Sequence, residues 1–148
     1  MRRNSLLRPV AALAGLVGLG MVGLAVPAVN AQELVTLDQL QFFPAAEDSP
    51  VEIAVLWGDP VNGPAGIMLR LPADFTGPMH FHDQDYHAIV VKGLHQHWRE
   101  GEDPGAGHRP GTYFFQAGAE IHGDGNPGDE ANLVFIFLPD GLNTTFVE

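Results

Sequence analysis

Gly77-Pro78-Met79-His80-Phe81-His82-Asp83-Gln84-Asp85-Tyr86-His87-Ala88-Ile89-Val90-Val91-Lys92-Gly93 holds a turn, a pair of imidazoles and a strand within seventeen residues. Gly77-Pro78 reads as the turn, and the β-branched run that closes on Gly93 reads as the strand. Extended backbone sends successive side chains to opposite faces, so His80 and His82 point to the same side. Outward from this stretch, short apolar runs recur at Val51–Trp57, Ile67–Leu71, His87–Val91, Thr112–Gln116 and Leu133–Leu138. Turn signals separate them: Gly58-Asp59-Pro60, Asn62-Gly63-Pro64, Gly101–Pro110 and Gly123–Gly128. Beyond Ala31 about one residue in five is Gly or Pro, which leaves no stretch for a long helix. The pattern predicts a single all-β domain, a sandwich or small barrel, with Thr36–Phe42 as its only helical candidate.

The chain has 148 residues and no Cys, with 18 acidic residues, 7 Lys and Arg, and 7 His. Without Cys there are no disulfides, thiolate nucleophiles or thiolate metal sites. Arg2, Arg3 and Arg8 precede an uncharged apolar run from Val10 to Val26, and Val29 and Ala31 are small residues flanking a cleavage-like exit. Residues 1–31 therefore read as a cleaved export signal rather than a retained anchor, by the general or the twin-arginine route. This places a mature domain, residues 32–148, in the periplasm or outside a bacterial cell, free of the membrane. In that domain Arg70, Lys92, Arg99 and Arg109 face every acid of the chain. Four scattered cations cannot form the basic stripe that nucleic acid requires, so nucleic acid is excluded as a partner.

All seven histidines lie between positions 80 and 122. His122 follows an apolar strand and an Ala117-Gly118-Ala119 turn, and a strand beside that of His80 and His82 would bring three imidazoles together. Neutral imidazole nitrogens suit one divalent transition metal (Zn, Fe, Ni, Cu or Mn), with open positions for water or substrate. The alternation in Leu94-His95-Gln96-His97-Trp98 buries Leu94 and Trp98 and sends His95 and His97 outward. His108 falls in a Gly/Pro loop and reads as solvated. Glu120 reads as an exposed turn acid that could orient His122. Asp83 and Asp85 read as loop acids within reach of a ligand imidazole.

These spacings resemble the cupin superfamily. Its first motif runs Gly, five residues, His-x-His, three or four residues, Glu, six residues, Gly. Its second runs Gly, five residues, Pro-x-Gly, two residues, His, three residues, Asn. Here His80, His82 and Gly93 match the first, and Gly111, His122 and Asn126 match the second. Asp74 stands where the first motif opens with Gly, and Ala117 and Ala119 replace Pro and Gly in the second. The Glu position holds Tyr86, or His87 at the longer spacing. Over residues 50–142, Leu56–Pro60, Ile67–Pro72, Asp85–His87 and Pro139–Gly141 resemble cupins related to the metal-binding domain of ChrR-type anti-sigma factors.

The resemblance implies a double-stranded β-helix, or jelly-roll barrel, with a metal and a small-molecule ligand in its wider mouth, and a homodimer. A neutral Tyr is a poor ligand, because ionising it near pH 7 costs about 4 kcal/mol. A one-residue bulge would turn His87 inward. His87 is thus the expected fourth ligand, with Tyr86 as ligand or hydrogen bonder, or water, as the alternatives. Losing the carboxylate should favour Zn, Cu or Ni over Mn. Three functions remain open: a metal-dependent enzyme, foremost a dioxygenase-like oxidoreductase; a non-catalytic metal or ligand sensor; and a structural barrel with a degenerate site.

Overall fold

The computed structural model describes residues 34–147, so the leader expected over residues 1–31 lies outside the described residues. Eleven strands follow a short N-terminal turn: β1 (Phe43–Pro44), β2 (Glu52–Gly58), β3 (Ala65–Leu71), β4 (Phe75–Thr76), β5 (His80–His82), β6 (Tyr86–Lys92), β7 (Gln96–Arg99), β8 (Tyr113–Gln116), β9 (His122–Asn126), β10 (Asn132–Leu138) and β11 (Thr144–Phe146). They pair antiparallel into two sheets. One is six-stranded, in the order β1-β2-β3-β10-β6-β8; the other runs β11-β5-β9-β4, with β7 also paired to β9. This is the all-β jelly-roll that the cupin resemblance implies.

Each of the five apolar runs lies in a strand of the six-stranded sheet. Inward side chains of β3, β6 and β10, among them Ile67, Ala88, Val134, Ile136 and Leu138, form the main core. Burying each of the larger ones contributes about 1.5–3 kcal/mol. A second cluster, Ala54, Met68 and Leu133, packs under Leu40, Phe42 and Phe135. Clusters on both faces explain why β3 and β10 read as continuous apolar runs instead of alternating ones.

The helical expectation over Thr36–Phe42 reduces to one 3-10 turn, Leu37–Gln39. Thr36 N–H and its hydroxyl both bond Gln39 Oε1 at 2.9 Å, which closes the turn. The chain then extends from Leu40, and Phe42 lies under the Arg70 guanidinium, 3.9 Å from its ring centroid. Packing on the sheet overrides a weak local preference.

A larger correction concerns Gly123–Gly128, which reads as a turn but is mostly strand β9. Its residues alternate, with His122, Asp124 and Asn126 on one face and Gly123 and Gly125 on the other. The glycines are needed for close approach: a Cβ on Gly123 would lie 2.3 Å from the Trp98 ring of β7, and one on Gly125 would lie 2.7 Å from Gln96 Oε1. On the other face, Asn126 Nδ2 donates to Pro72 and Glu130 carbonyls at 2.8 Å, anchoring the strand end.

Two departures from the family motifs stand in the left-handed region of the backbone. Asp74 and Ala119, each at a motif glycine, adopt φ of 50° and 62°. Asp tolerates this left-handed region, whereas Ala is strained there by about 1–2 kcal/mol. Ala119 is held by its N–H bond to the His82 carbonyl at 2.7 Å, which ties the turn to β5. Ala119→Gly should therefore raise unfolding stability by about 1 kcal/mol in urea denaturation. An unchanged or lower midpoint would mean that the turn carries no such strain.

Candidate metal centre

His80 and His82 project from β5 and His122 from β9, and His80 and His122 stand directly opposite each other in the register of the two strands. All three side chains are buried, and their available nitrogen atoms lie within 4.8 Å of one another. Each ring is pinned by a backbone carbonyl. His80 Nδ1 bonds the Pro78 carbonyl at 3.0 Å, His82 Nδ1 that of Asn143 at 2.9 Å, and His122 Nδ1 that of Glu120 at 2.9 Å. A carbonyl only accepts, so every Nδ1 carries the hydrogen and every Nε2 presents a bare lone pair. Burial lowers the pKa of His82 to about 4, with the neighbouring His80 and His122 adding to it against the Asn143 bond. Burial likewise lowers that of His122, although Asp124 and the Glu120 carbonyl oppose it. The donor set is oriented and convergent, which fits a divalent transition metal.

A carboxylate missed in the sequence lies beside this trio. Asp124, two residues after His122 on the same face of β9, places Oδ2 3.4 Å from His80 Nε2 and 3.8 Å from His122 Nε2. Its Oδ1 lies 2.8 Å from His97 Nδ1 and 3.2 Å from His95 Nε2. Burial alone would raise the Asp124 pKa, but the His95 and His97 contacts hold it well below the usual carboxylate range. The His-x-Asp signal was legible, but hidden inside a segment that reads as a turn.

His95 and His97 are therefore not outward-facing. His95 is fully buried and His97 nearly so, because β7 pairs with β9 and sets His97 directly opposite Asp124. Both rings stack on Phe114, at centroid distances of 5.5 and 4.4 Å. Burial would lower the His97 pKa, yet the Asp124 hydrogen bond and charge, with the Gln116 bond, raise it.

His87, the expected fourth ligand, is not brought to the trio. β6 pairs with β8 in unbroken register through Tyr86, His87, Ala88 and Ile89, and the irregularity in its pairing with β10 falls at Leu133/Val134, opposite the far end of β6. No bulge turns position 87 inward. His87 Nδ1 bonds the Tyr113 hydroxyl at 2.9 Å on the outer face. Tyr86 takes the inward position instead, buried, with its hydroxyl 3.4 Å from His122 Nε2. Burial, followed by the charge of Asp124, raises its pKa well above 10.0, which favours the neutral phenol. Its O–H faces a bare nitrogen, which makes Tyr86 the donor.

His108 is exposed, as expected, although its backbone bridges that of His95 at 2.7 and 3.0 Å. Glu120 orients His122 through its carbonyl, not its exposed carboxylate. Asp85 accepts from Gly118 N–H at 2.7 Å and Asp83 from Asn143 Nδ2 at 3.2 Å, so neither holds a ligand imidazole.

His80 and His82 of the trio open onto a cavity of about 510 Å³ between the sheets. His80, His82, Tyr86 and Asp124 line one part of it; Ile67, Leu69, Leu71, Ile136 and Leu138 line much of the rest, and among the described residues no Lys or Arg contributes.

Fold and site together define a cupin, and the family comparison agrees. Residues 30–139 match the ChrR cupin-like domain family, and the chain belongs to it. Solved structures with the same fold include an RmlC-like cupin protein from Ralstonia eutropha JMP134, at 18% identity and TM-score 0.60, covering 78% of this chain and 76% of that one. A protein of unknown function with a cupin-like fold from the same organism is 23% identical with TM-score 0.59, covering 78% and 81%. An acetylacetone dioxygenase from Acinetobacter johnsonii is 19% identical with TM-score 0.56, covering 81% and 80%. No functionally curated protein matches the chain.

The His82 shift has a measurable consequence. Between its folded value of about 4 and its ordinary 6.5, the unfolded chain binds a proton that the folded chain excludes. Stability from this group is thus complete above pH 6.5 and falls as pH drops toward 4, with His122 acting in the same direction. His97 acts oppositely, its contribution being lost as pH rises through its raised pKa. In chelator-treated protein, the His82 ring proton should titrate by NMR with a midpoint near 4. A midpoint near 6.5 would show an open, solvated ring.

Proposed function

We propose that the protein is an exported, metal-dependent cupin enzyme that acts on a small, mostly apolar molecule carrying an oxygen donor at one end. The observation that carries this reading is the convergence of three imidazoles, two of which, His80 and His82, line the wall of a largely apolar cavity of about 510 Å³. His80, His82 and His122 would hold one divalent transition metal. When bound, that metal would act as a Lewis acid on substrate oxygens or activate water or dioxygen.

The remaining residues support the reading. The apolar walls exclude water and favour hydrocarbon, and without a lining cation the cavity offers no partner for a charged group away from the histidines. Tyr86 donates to His122 Nε2 in the metal-free arrangement; with that lone pair engaged, its O–H is free to donate to a bound oxygen. Such a site suits an enolisable carbonyl compound, and dioxygenase-like oxidation is the reaction class we favour. Export rests on the Arg-flanked apolar run within residues 1–31.

One observation favours a second reading. The matching family takes its name from the cupin-like domain of ChrR, so the same site could bind metal and ligand as a sensor without turnover.

Protein loaded in turn with Fe, Mn, Ni, Cu and Zn should consume a small β-diketone, with dioxygen uptake followed at an electrode. The expected result is turnover with at least one metal, lost by about 100-fold or more in His80→Ala. Thermal stabilisation by the diketone without turnover would support the sensor. Failure of the wild type to bind any of these metals would sink both.

A further inference from the structure

Six ionisable side chains share one buried cluster, and their hydrogen bonds divide them into two kinds. His80, His82 and His122 give their Nδ1 hydrogens to carbonyls and turn bare Nε2 atoms inward. His95 and His97 instead turn ring hydrogens toward Asp124. Asn132 accepts from Leu71 N–H through Oδ1 at 3.2 Å and donates from Nδ2 to the Leu94 carbonyl at 2.7 Å, which fixes its amide. The same Nδ2 faces His95 Nδ1 at 3.3 Å, so that nitrogen accepts and the ring hydrogen sits on Nε2, toward Asp124. Gln116 is fixed likewise, its Nε2 donating to the Ala117 and Glu120 carbonyls at 2.9 and 3.2 Å. Its Oε1 then takes His97 Nε2–H at 2.9 Å, and the 2.8 Å bond from His97 Nδ1 to Asp124 needs a second ring hydrogen.

Both hydrogen-bearing rings meet Asp124 at Oδ1 and leave Oδ2 to the trio. The His95 contact is bent: its Nε2 has no hydrogen-bond partner, although Oδ1 lies 3.2 Å away. Two donors that share one metal at about 2.1 Å are themselves about 3.0–3.4 Å apart. Asp124 Oδ2 stands 3.4 Å from His80 Nε2 and 3.8 Å from His122 Nε2.

Resting on the metal reading above, we infer that Asp124 supplies the carboxylate that position 86 lacks: its Oδ2 is the fourth protein ligand, and His97 is a positioning residue that holds Oδ1. The negative ligand charge lost from β6 thus returns from β9. The expectation that its loss favours Zn, Cu or Ni over Mn no longer holds, because the site keeps a carboxylate. The same hydrogen-bond assignment argues against a second metal between His95, His97 and Asp124, since a metal there would face ring hydrogens where it needs lone pairs.

Titration of chelator-stripped protein with Co2+, followed by absorption and by competition with a chromophoric chelator, tests this. Wild type should bind one equivalent. Asp124→Asn should change the visible Co2+ spectrum and lose at least ~100-fold in affinity, while circular dichroism confirms the fold. His97→Phe should keep one equivalent and lose about 10–100-fold, and His97→Gln, whose amide can still donate to Oδ1, should recover most of it. Should Asp124→Asn fail to fold, proton NMR of the Co2+ wild type decides without a variant. Three shifted, exchangeable imidazole N–H signals and a shifted Asp124 methylene pair are expected; absence of that pair overturns the ligand role. Unchanged affinity and spectrum in Asp124→Asn, with binding abolished in His80→Ala, would overturn the inference and leave the metal reading standing. Two equivalents in wild type, one lost in His97→Phe, would overturn the positioning role. No Co2+ bound by wild type would overturn the metal reading, and this inference with it.

Discussion

The largely buried Asp124 carboxylate is the charge around which the interior of this barrel is arranged. Taking a carboxylate out of water costs several kcal/mol unless partners compensate it, and leaving one partner out is more damaging than never burying the charge. Here four imidazoles surround it, from β5, from β9 and from the β7 segment. Those histidines are in turn held by carbonyls of Pro78 and Glu120 and by the side chains of Asn132 and Gln116. The network reaches from the strands to the turns, so the polar interior depends on the loops being in place.

Geometry on β9 makes this possible. A strand that alternates His, Asp and Asn with two glycines buries its polar side chains on one face and leaves bare backbone on the other. Trp98 fills the space that the glycines leave, and its cross-strand partner is Gly123. The pairing of Trp98 with Gly123 puts His97 opposite Asp124 by the same register. One set of backbone hydrogen bonds thereby sets the outer packing and the inner charge pair together. A one-residue slip would reverse both faces, so strong packing outside and strong electrostatics inside enforce a single register.

The cavity inherits its character from the division between the sheets. The six-stranded sheet supplies most of the aliphatic wall, from β3 and β10, while the smaller sheet supplies His80, His82 and Asp124. Tyr86 is the exception, an inward polar group of the larger sheet that reaches across to His122. Burial favours its neutral phenol, which contributes a hydrogen-bond donor where the superfamily's motif has a carboxylate.

The apolar runs and the His80, His82 and His122 spacing were enough to determine the fold class and the trio. Strand propensity and period-two alternation are local properties, and the motif spacing records which turns must close. Position 87 shows the limit: both faces of β6 are apolar, so composition could not say which of Tyr86 and His87 points inward, and the unbroken β6–β8 register decided it. His95, His97 and Asp124 show it more sharply. Glycines made β9 read as a turn, and the side chains of Leu94 and Trp98 made the β7 histidines read as surface. Only the pairing of β7 with β9 brought a carboxylate and two proton-bearing rings together from positions 27 and 29 residues apart in the chain. Electrostatic partnership across strands depends on register and burial, and both are properties of the assembled sheets.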